Sequence, residues 1–399
     1  MDPNPRYLAI DLARGIAMLG VALVNVHHYA VGWTMLYALD LAKTPWDVFA
    51  EYFVAILFSH RSYPVLAFLF GAGLALQWAR LPEATRTPGD LRPRLWALLA
   101  LGLVHGLLLW PGDVLATYAI VGLVGVGLVR RSGRRVATIA ASVLVIATLL
   151  YALLGFSAIL FSDAPRPWPW PETSSFSADI WRSALAQHPM EYLERGLAQL
   201  LVLEMWGWFA LGLWAAQTGA LPRFLAAPFA RKGIVALGVA AFIGGTVVEC
   251  FAALHGGWDA RMYNDIGSGV MTVALVPASL GGLWLWFTLA ALLSKRGDAK
   301  RGVASLAIAT GRAPLTQFFG QSIVFAIVFN KSLIGWHGEL GRFVYSMIAI
   351  ATYILLSGFI RAWLANGHAH GPMEMLWRGL TRLVSSQRVD KYSAESKQS

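Results

Sequence analysis

Apolar residues run through this chain in long blocks with almost no strand-like alternation. An α-helix needs about 20 such residues to cross a bilayer, because only a helix or a closed barrel satisfies its own backbone in lipid. Blocks of that kind lie at 8–29, 62–79, 94–110, 114–129, 136–161, 196–219, 233–254, 268–293, 303–330 and 342–365. The 94–110 and 114–129 blocks are short, with Trp110-Pro-Gly-Asp113 as a tight turn between them. The stretch 47–59 suits only a half-span or an interfacial helix. The pattern therefore predicts an all-α, polytopic bundle of about ten transmembrane helices. Residues 1–381 read as one transmembrane domain with an external loop at 162–195, and 382–399 as a disordered cytoplasmic tail.

Lys and Arg set the expected orientation. With both termini cytoplasmic, the cytoplasmic loops and tails carry 21 of them and the opposite loops 8. Composition agrees with a membrane protein: 57% of residues are hydrophobic and 14% charged, where a soluble domain carries roughly 25% charged. A net charge of +10 suggests nucleic acid, but the basic residues sit in short loops between apolar blocks and read as topology and anionic-lipid contact. No nucleic-acid partner is expected; the bilayer is. The single cysteine, Cys250, excludes an intrachain disulfide and a cysteine-based metal site. The His368-x-His370 pair reads as solvated rather than metal-binding, and Pro165–Pro171 as a stiff external segment.

Ionisable and polar residues inside apolar blocks are costly, and each is a candidate for function. Asp11 and Arg14 share one face of the first helix, near the cytoplasmic end. They form either a packing ion pair or an anion site. Asn25 and His28 share a face near its external end. His105 lies below the Pro-Gly turn, with Asp113 and Tyr118 along the same hairpin; a carboxylate that orients a histidine is an acid–base arrangement. A packed-core histidine and a turn aspartate are the plainer alternatives. Glu204 and Glu249 add acidic groups in the external half, while Arg14, Arg312, Thr316 and Arg361 make a basic inner mouth suited to a phosphate-bearing ligand.

Five blocks of sequence together resemble the bacterial YeiB-like membrane proteins. They are Arg6-x4-Asp11-Leu-Ala-Arg-Gly-Ile-Ala-x-Leu-Gly20-x4-Asn25, Phe68-Leu-Phe-Gly-Ala-Gly73, and the His105…Trp110-Pro-Gly-Asp113…Tyr118 hairpin. The others are Gly311-Arg-x-x-Leu-Thr316-x4-Gln321-Ser322 and Gly371-Pro-x-Glu-x-Leu-Trp-Arg378. That family is distantly similar to integral-membrane acyltransferases of the heparan-glucosaminide acetyltransferase and sugar O-acyltransferase types. The resemblance implies a multi-pass protein of the bacterial inner membrane, with a cytoplasmic acyl-CoA donating through the bundle to an acceptor reached from outside. The acceptor would be a small molecule, a glycan or a lipid-linked group. Arg14 matches the first-helix Arg of those enzymes, and Asn25 stands where the O-acyltransferases carry His. The imidazole would then come from His28 or His105, with Asp113 orienting it. Asn25 or Gln321 could act as an oxyanion donor, and Arg14, Arg312 and Gln321 would line the donor site. The competing reading is a secondary transporter or channel for a small polar or lipid-linked solute, with Glu204 as a proton-coupling carboxylate.

Overall fold

The computed structural model describes residues 5–31, 44–160, 181–200, 202–254, 266–296 and 302–395, and every regular element among them is helical. The order is α1 (Pro5–Val31), α2 (Pro45–Leu57), α3 (Ser62–Arg80), α4 (Arg92–Leu108), α5 (Leu115–Gly125), α6 (Gly133–Leu160), α7 (Trp181–Leu200) and α8 (Leu203–Gln217). There follow α9 (Ala220–Ala226), α10 (Lys232–Leu254), α11 (Ile266–Ser294), α12 (Gly302–Arg312), α13 (Pro314–Phe329), α14 (Arg342–Ala365) and α15 (Pro372–Glu395). Seven stretches among the described residues are long and apolar enough to cross a membrane; Leu115–Arg130 and Pro314–Phe329 are apolar but shorter. The protein is thus a multi-pass helical bundle in a lipid environment.

Several apolar blocks resolve differently from their hydropathy. The 303–330 block is two helices, broken where Pro314 lacks the N–H and crowds the preceding turn. The 196–219 block is divided between the end of α7 and α8. Helix α7 occupies much of the segment expected to be a loop at 162–195, and residues 161–180, with the Pro-Trp segment, lie outside the described residues. Helix α15 reaches Glu395, so helix continues through most of the stretch expected as a disordered tail. Helix α2 is short, exposes Trp46, Phe49 and Phe53, and buries Asp47 and Glu51 against the bundle. That suits an interfacial helix.

Helices α1, α3 and α11 form the centre, whereas only 22% of the most apolar stretch of α6 and of α10 is buried, placing both on the lipid-facing periphery. In lipid there is no hydrophobic drive between helices, so close approach through small residues matters more. Helices α3 and α8 cross where Gly71 meets the Phe209 carbonyl and Gly212 meets the Phe68 carbonyl. Helices α1 and α12 cross the same way: Gly15 lies on the Ala307 carbonyl and Gly311 on the Asp11 carbonyl. A Cβ on Gly311 would stand 1.9 Å from the Asp11 oxygen, and backbone cannot yield as a side chain can.

Two buried ion pairs pin the remaining elements. Arg61, between α2 and α3, is fully enclosed and donates to both carboxylate oxygens of Glu249 on α10, at 3.0 and 2.7 Å. Arg342 at the start of α14 reaches Glu51 of α2 at 2.9 Å. Breaking such a pair from one side typically costs about 3–5 kcal/mol, because the surviving charge stays buried.

We expect Gly311→Ala to destabilise the protein by about 1–3 kcal/mol through overpacking at the α1–α12 crossing. Gly358→Ala, on α14 where an added Cβ would meet nothing within 4 Å, should be neutral or slightly stabilising. Thermal unfolding of the two variants in detergent checks this, and the reverse order would rule out the close crossing.

Candidate functional site

The break between α12 and α13 exposes helix ends inside the bundle. The last carbonyls of α12 and the first N–H groups of α13 have no intrahelical partners, and in a dry interior they must find others. Arg14 of α1 donates to the Gly311 carbonyl at 2.8 Å and to Asp11 at 3.3 Å. Glu374 of α15 accepts from the Leu315 N–H at 2.6 Å, the Thr316 N–H at 3.3 Å and the Thr316 hydroxyl at 2.6 Å. A cation therefore sits at the end of one helix and an anion at the start of the next, matching both helix dipoles. The Gly311…Thr316 and Gly371…Glu374 sequence blocks meet here.

Basic groups gather on the same side of the bundle. Arg94 of α4 lies 3.9 Å over the Trp377 ring, and the Trp377 indole donates to the Arg94 carbonyl at 2.9 Å. Arg378 contacts the His370 ring. Burial, with the charges of Arg378, Arg312 and Arg94, holds the His370 imidazole below its ordinary range. His368 stacks on Trp363 at 3.8 Å. Arg312 is exposed, while Arg14 is committed to the helix break; both carry their charge to Asp11 on the same side of the bundle.

A second centre lies deeper. The α4–α5 hairpin places His105 Nδ1 2.9 Å from Asp113 Oδ1, with both side chains fully enclosed. The contact is off the line of a hydrogen bond, and Nε2 has no hydrogen-bond partner among the described residues. Asp113 Oδ2 accepts from the Ala116 N–H at 2.9 Å, so the same carboxylate holds the first turn of α5 and faces the imidazole. The rings of Phe318 and Phe319 on α13 stand 4.7 and 4.8 Å from that of His105. Trp110 stacks on Tyr29 at 5.3 Å and lies 6.4 Å from His28, which brings that end of α1 to the hairpin. Asn25, His28 and Gln321 are all buried on the elements that surround it. Tyr118 is not part of this centre: its hydroxyl donates to the Tyr63 carbonyl at 3.2 Å.

Helix α7 covers the centre. Tyr192 packs on Gly106, Gln199 meets Thr117 at 3.0 Å and the Gly112 carbonyl at 3.3 Å, and Arg195, paired with Glu191, extends its charge to His28 and Tyr29. Two surface hollows, of about 330 and 430 Å³, lie instead around Arg86 and Arg131. Access to His105 thus requires helices to part. Glu374 was visible as part of a helix start, but its partner is 58 positions away; Gln317 was hidden within an apolar block, four residues before Gln321.

A multi-pass helical membrane protein with two buried polar centres is the class these features define. The family Protein of unknown function (DUF418) matches residues 209–384, which include the helix break and Glu374. The uncharacterized protein YeiB of Escherichia coli (strain K12) is 26% identical over 97% of this chain and 99% of its own length. The uncharacterized protein YxaH of Bacillus subtilis (strain 168) is 25% identical over 95% of each chain. An uncharacterized 39.9 kDa protein from the amylase 3' region of Bacillus acidopullulyticus is 34% identical over 31% of this chain and 35% of its own. Over nearly its whole length the chain is similar to these YeiB-like proteins of unknown function.

Glu374→Ala should leave the α13 start unpaired and cost about 2–3 kcal/mol, with α15 opening to protease; Glu374→Gln should cost less, since its carbonyl still accepts. Thermal unfolding and limited proteolysis in detergent read both effects. An unchanged α15 in Glu374→Ala would refute the helix-end role.

Proposed function

We propose that the protein is an integral-membrane acyltransferase that moves an acyl group from acyl-CoA to an acceptor approaching from the opposite face. The observation that carries this reading is the enclosed His105–Asp113 contact, with no hydrogen-bond partner for the imidazole Nε2 among the described residues. In the proposed reaction an acceptor hydroxyl or amine adds to the thioester carbonyl and gives its proton to His105 Nε2. The tetrahedral intermediate collapses, the carbon–sulfur bond breaks, and the leaving thiolate takes the proton back. Asp113 orients the ring and stabilises the imidazolium, and Asn25 is the candidate oxyanion donor. His28, across Trp110, is the alternative base. Arg312, with Arg94 and Arg378, supplies charge for the donor's phosphates, while Arg14 holds the helix break that forms the floor of that mouth.

His105→Asn should preserve folding and donor binding and lower turnover by about 10²–10⁴. Acyl release or transfer from acyl-CoA by purified protein is the assay. A parent that neither binds nor turns over acyl-CoA refutes the acyltransferase reading, and normal turnover in the variant moves the base to His28. The transport reading retains one observation, the enclosed Glu204, one of whose carboxylate oxygens has no hydrogen-bond partner among the described residues, and proton-driven solute uptake into proteoliposomes would favour it.

The proposed arrangement has about ten spans in the bacterial inner membrane with both termini cytoplasmic, on the 21-to-8 division of Lys and Arg. In a Cys250→Ser background, Glu339→Cys should react with impermeant thiol reagent in spheroplasts, while Ser385→Cys should react only after lysis. The opposite labelling would invert the orientation.

A further inference from the structure

Helix α13 carries an anomaly that the acid–base centre does not use. Gln317 and Gln321 are fully buried, and neither the nitrogen nor the oxygen of either amide has a hydrogen-bond partner among the described residues. Other polar groups on and around the helix are satisfied in part: Thr310 and Ser357 share a bond of 2.7 Å, Tyr353 donates to the Gly15 carbonyl at 2.9 Å and Thr316 is held by Glu374, while the Ser322 hydroxyl beside Gln321 also has no hydrogen-bond partner among the described residues. An unpaired buried amide costs on the order of 1–3 kcal/mol, and lipid offers no relief. Two in succession on one helix call for a partner from elsewhere.

The geometry says what kind. Residues four apart share a helix face and are separated by about 6 Å along the axis. Each primary amide offers two donors and an acceptor with two lone pairs. The complementary ligand is an extended chain with secondary amides at a similar repeat. The turn between the glutamines bears Phe318 and Phe319 against His105, and the start of the helix bears Glu374 beside the basic mouth. A ligand lying along α13 would therefore meet cations first, then amides, close to an imidazole.

We propose that Gln317 and Gln321 form an amide-recognition station for such a chain, the pantetheine arm of a coenzyme A thioester being the matching chemistry. This rests on the acyl-donor reading above. Two amides joined by the β-alanine bridge of pantetheine repeat at roughly 5 Å, since an α-residue extends about 3.4 Å and β-alanine adds one backbone bond. Flexible glutamine side chains span the difference. Gln317 and Gln321 are binding groups here, and His105 remains the proton acceptor.

The test uses the purified full chain, the double variant Gln317→Leu/Gln321→Leu, and the single variants Gln317→Met and Gln321→Met. Calorimetric titrations use coenzyme A, pantetheine and adenosine 3',5'-bisphosphate as separate probes. Without ligand, the variants should unfold at or above the parent's temperature, because no internal bond is lost. The double variant should bind coenzyme A at least about tenfold more weakly and lose pantetheine binding, while adenosine bisphosphate binding stays within about twofold. If the double variant binds coenzyme A like the parent, water satisfies the amides and this proposal alone fails. If the Leu and Met variants all unfold earlier, the amides have protein partners and the proposal again fails alone. If the parent binds neither coenzyme A nor pantetheine, the acyl-donor reading falls with it.

Discussion

The break between α12 and α13 is the constraint on which most of the interior depends. A chain interrupted inside a low-dielectric bundle leaves carbonyls on one side and N–H groups on the other, and neither can be left bare. Arg14 closes the first end and Glu374 the second. These two residues come from the first and last helices, so satisfying one interruption ties the chain's beginning to its end. The tight Gly15 and Gly311 crossing lets the Arg14 guanidinium reach the break. Once α13 is anchored there, its first full turn delivers Phe318 and Phe319 to the His105 ring.

Other buried polar groups inside the bundle divide by whether an opposite charge faces them. Arg61 with Glu249 and Arg342 with Glu51 are matched pairs, each joining elements far apart in sequence. Pairs of this kind contribute little net stability over apolar packing, but they penalise a wrong arrangement severely. His105 Nε2 and the two glutamine amides are different: they are buried without a hydrogen-bond partner among the described residues.

Local features were legible in the sequence, and long-range ones were not. The hairpin around Trp110–Asp113 could be read because its turn residues and its two apolar arms are contiguous, and that proximity alone sets His105 near Asp113. The Asp11–Arg14 pair follows from helical spacing. The helix break was hidden because hydropathy continues through Ala313 and Pro314, and only the proline hints at it. Arg61 read as a loop cation counted toward topology, since its partner lies 188 residues away. The same distance problem concealed Glu374. Gln317 escaped notice because a single polar residue in an apolar run does not reveal which face it occupies until its neighbours are known.

Enclosure of the His105 centre constrains any chemistry assigned to it. A group with no exposure cannot meet a ligand in the arrangement described here, so helix motion must precede binding from either face. Opposite the basic mouth, the cover is α7, which is far less apolar than the helices around it and includes Pro189. Its seal consists of Tyr192 on Gly106, the Gln199 contacts to Thr117 and Gly112, and Arg195 near His28. The two Gln199 hydrogen bonds are each worth only about 0.5–1.5 kcal/mol net, whereas opening at α12–α13 would strip partners from two helix ends at once. The energetics therefore favour α7 as the element that yields, with the Arg14–Glu374 anchorage as the fixed floor against which it moves.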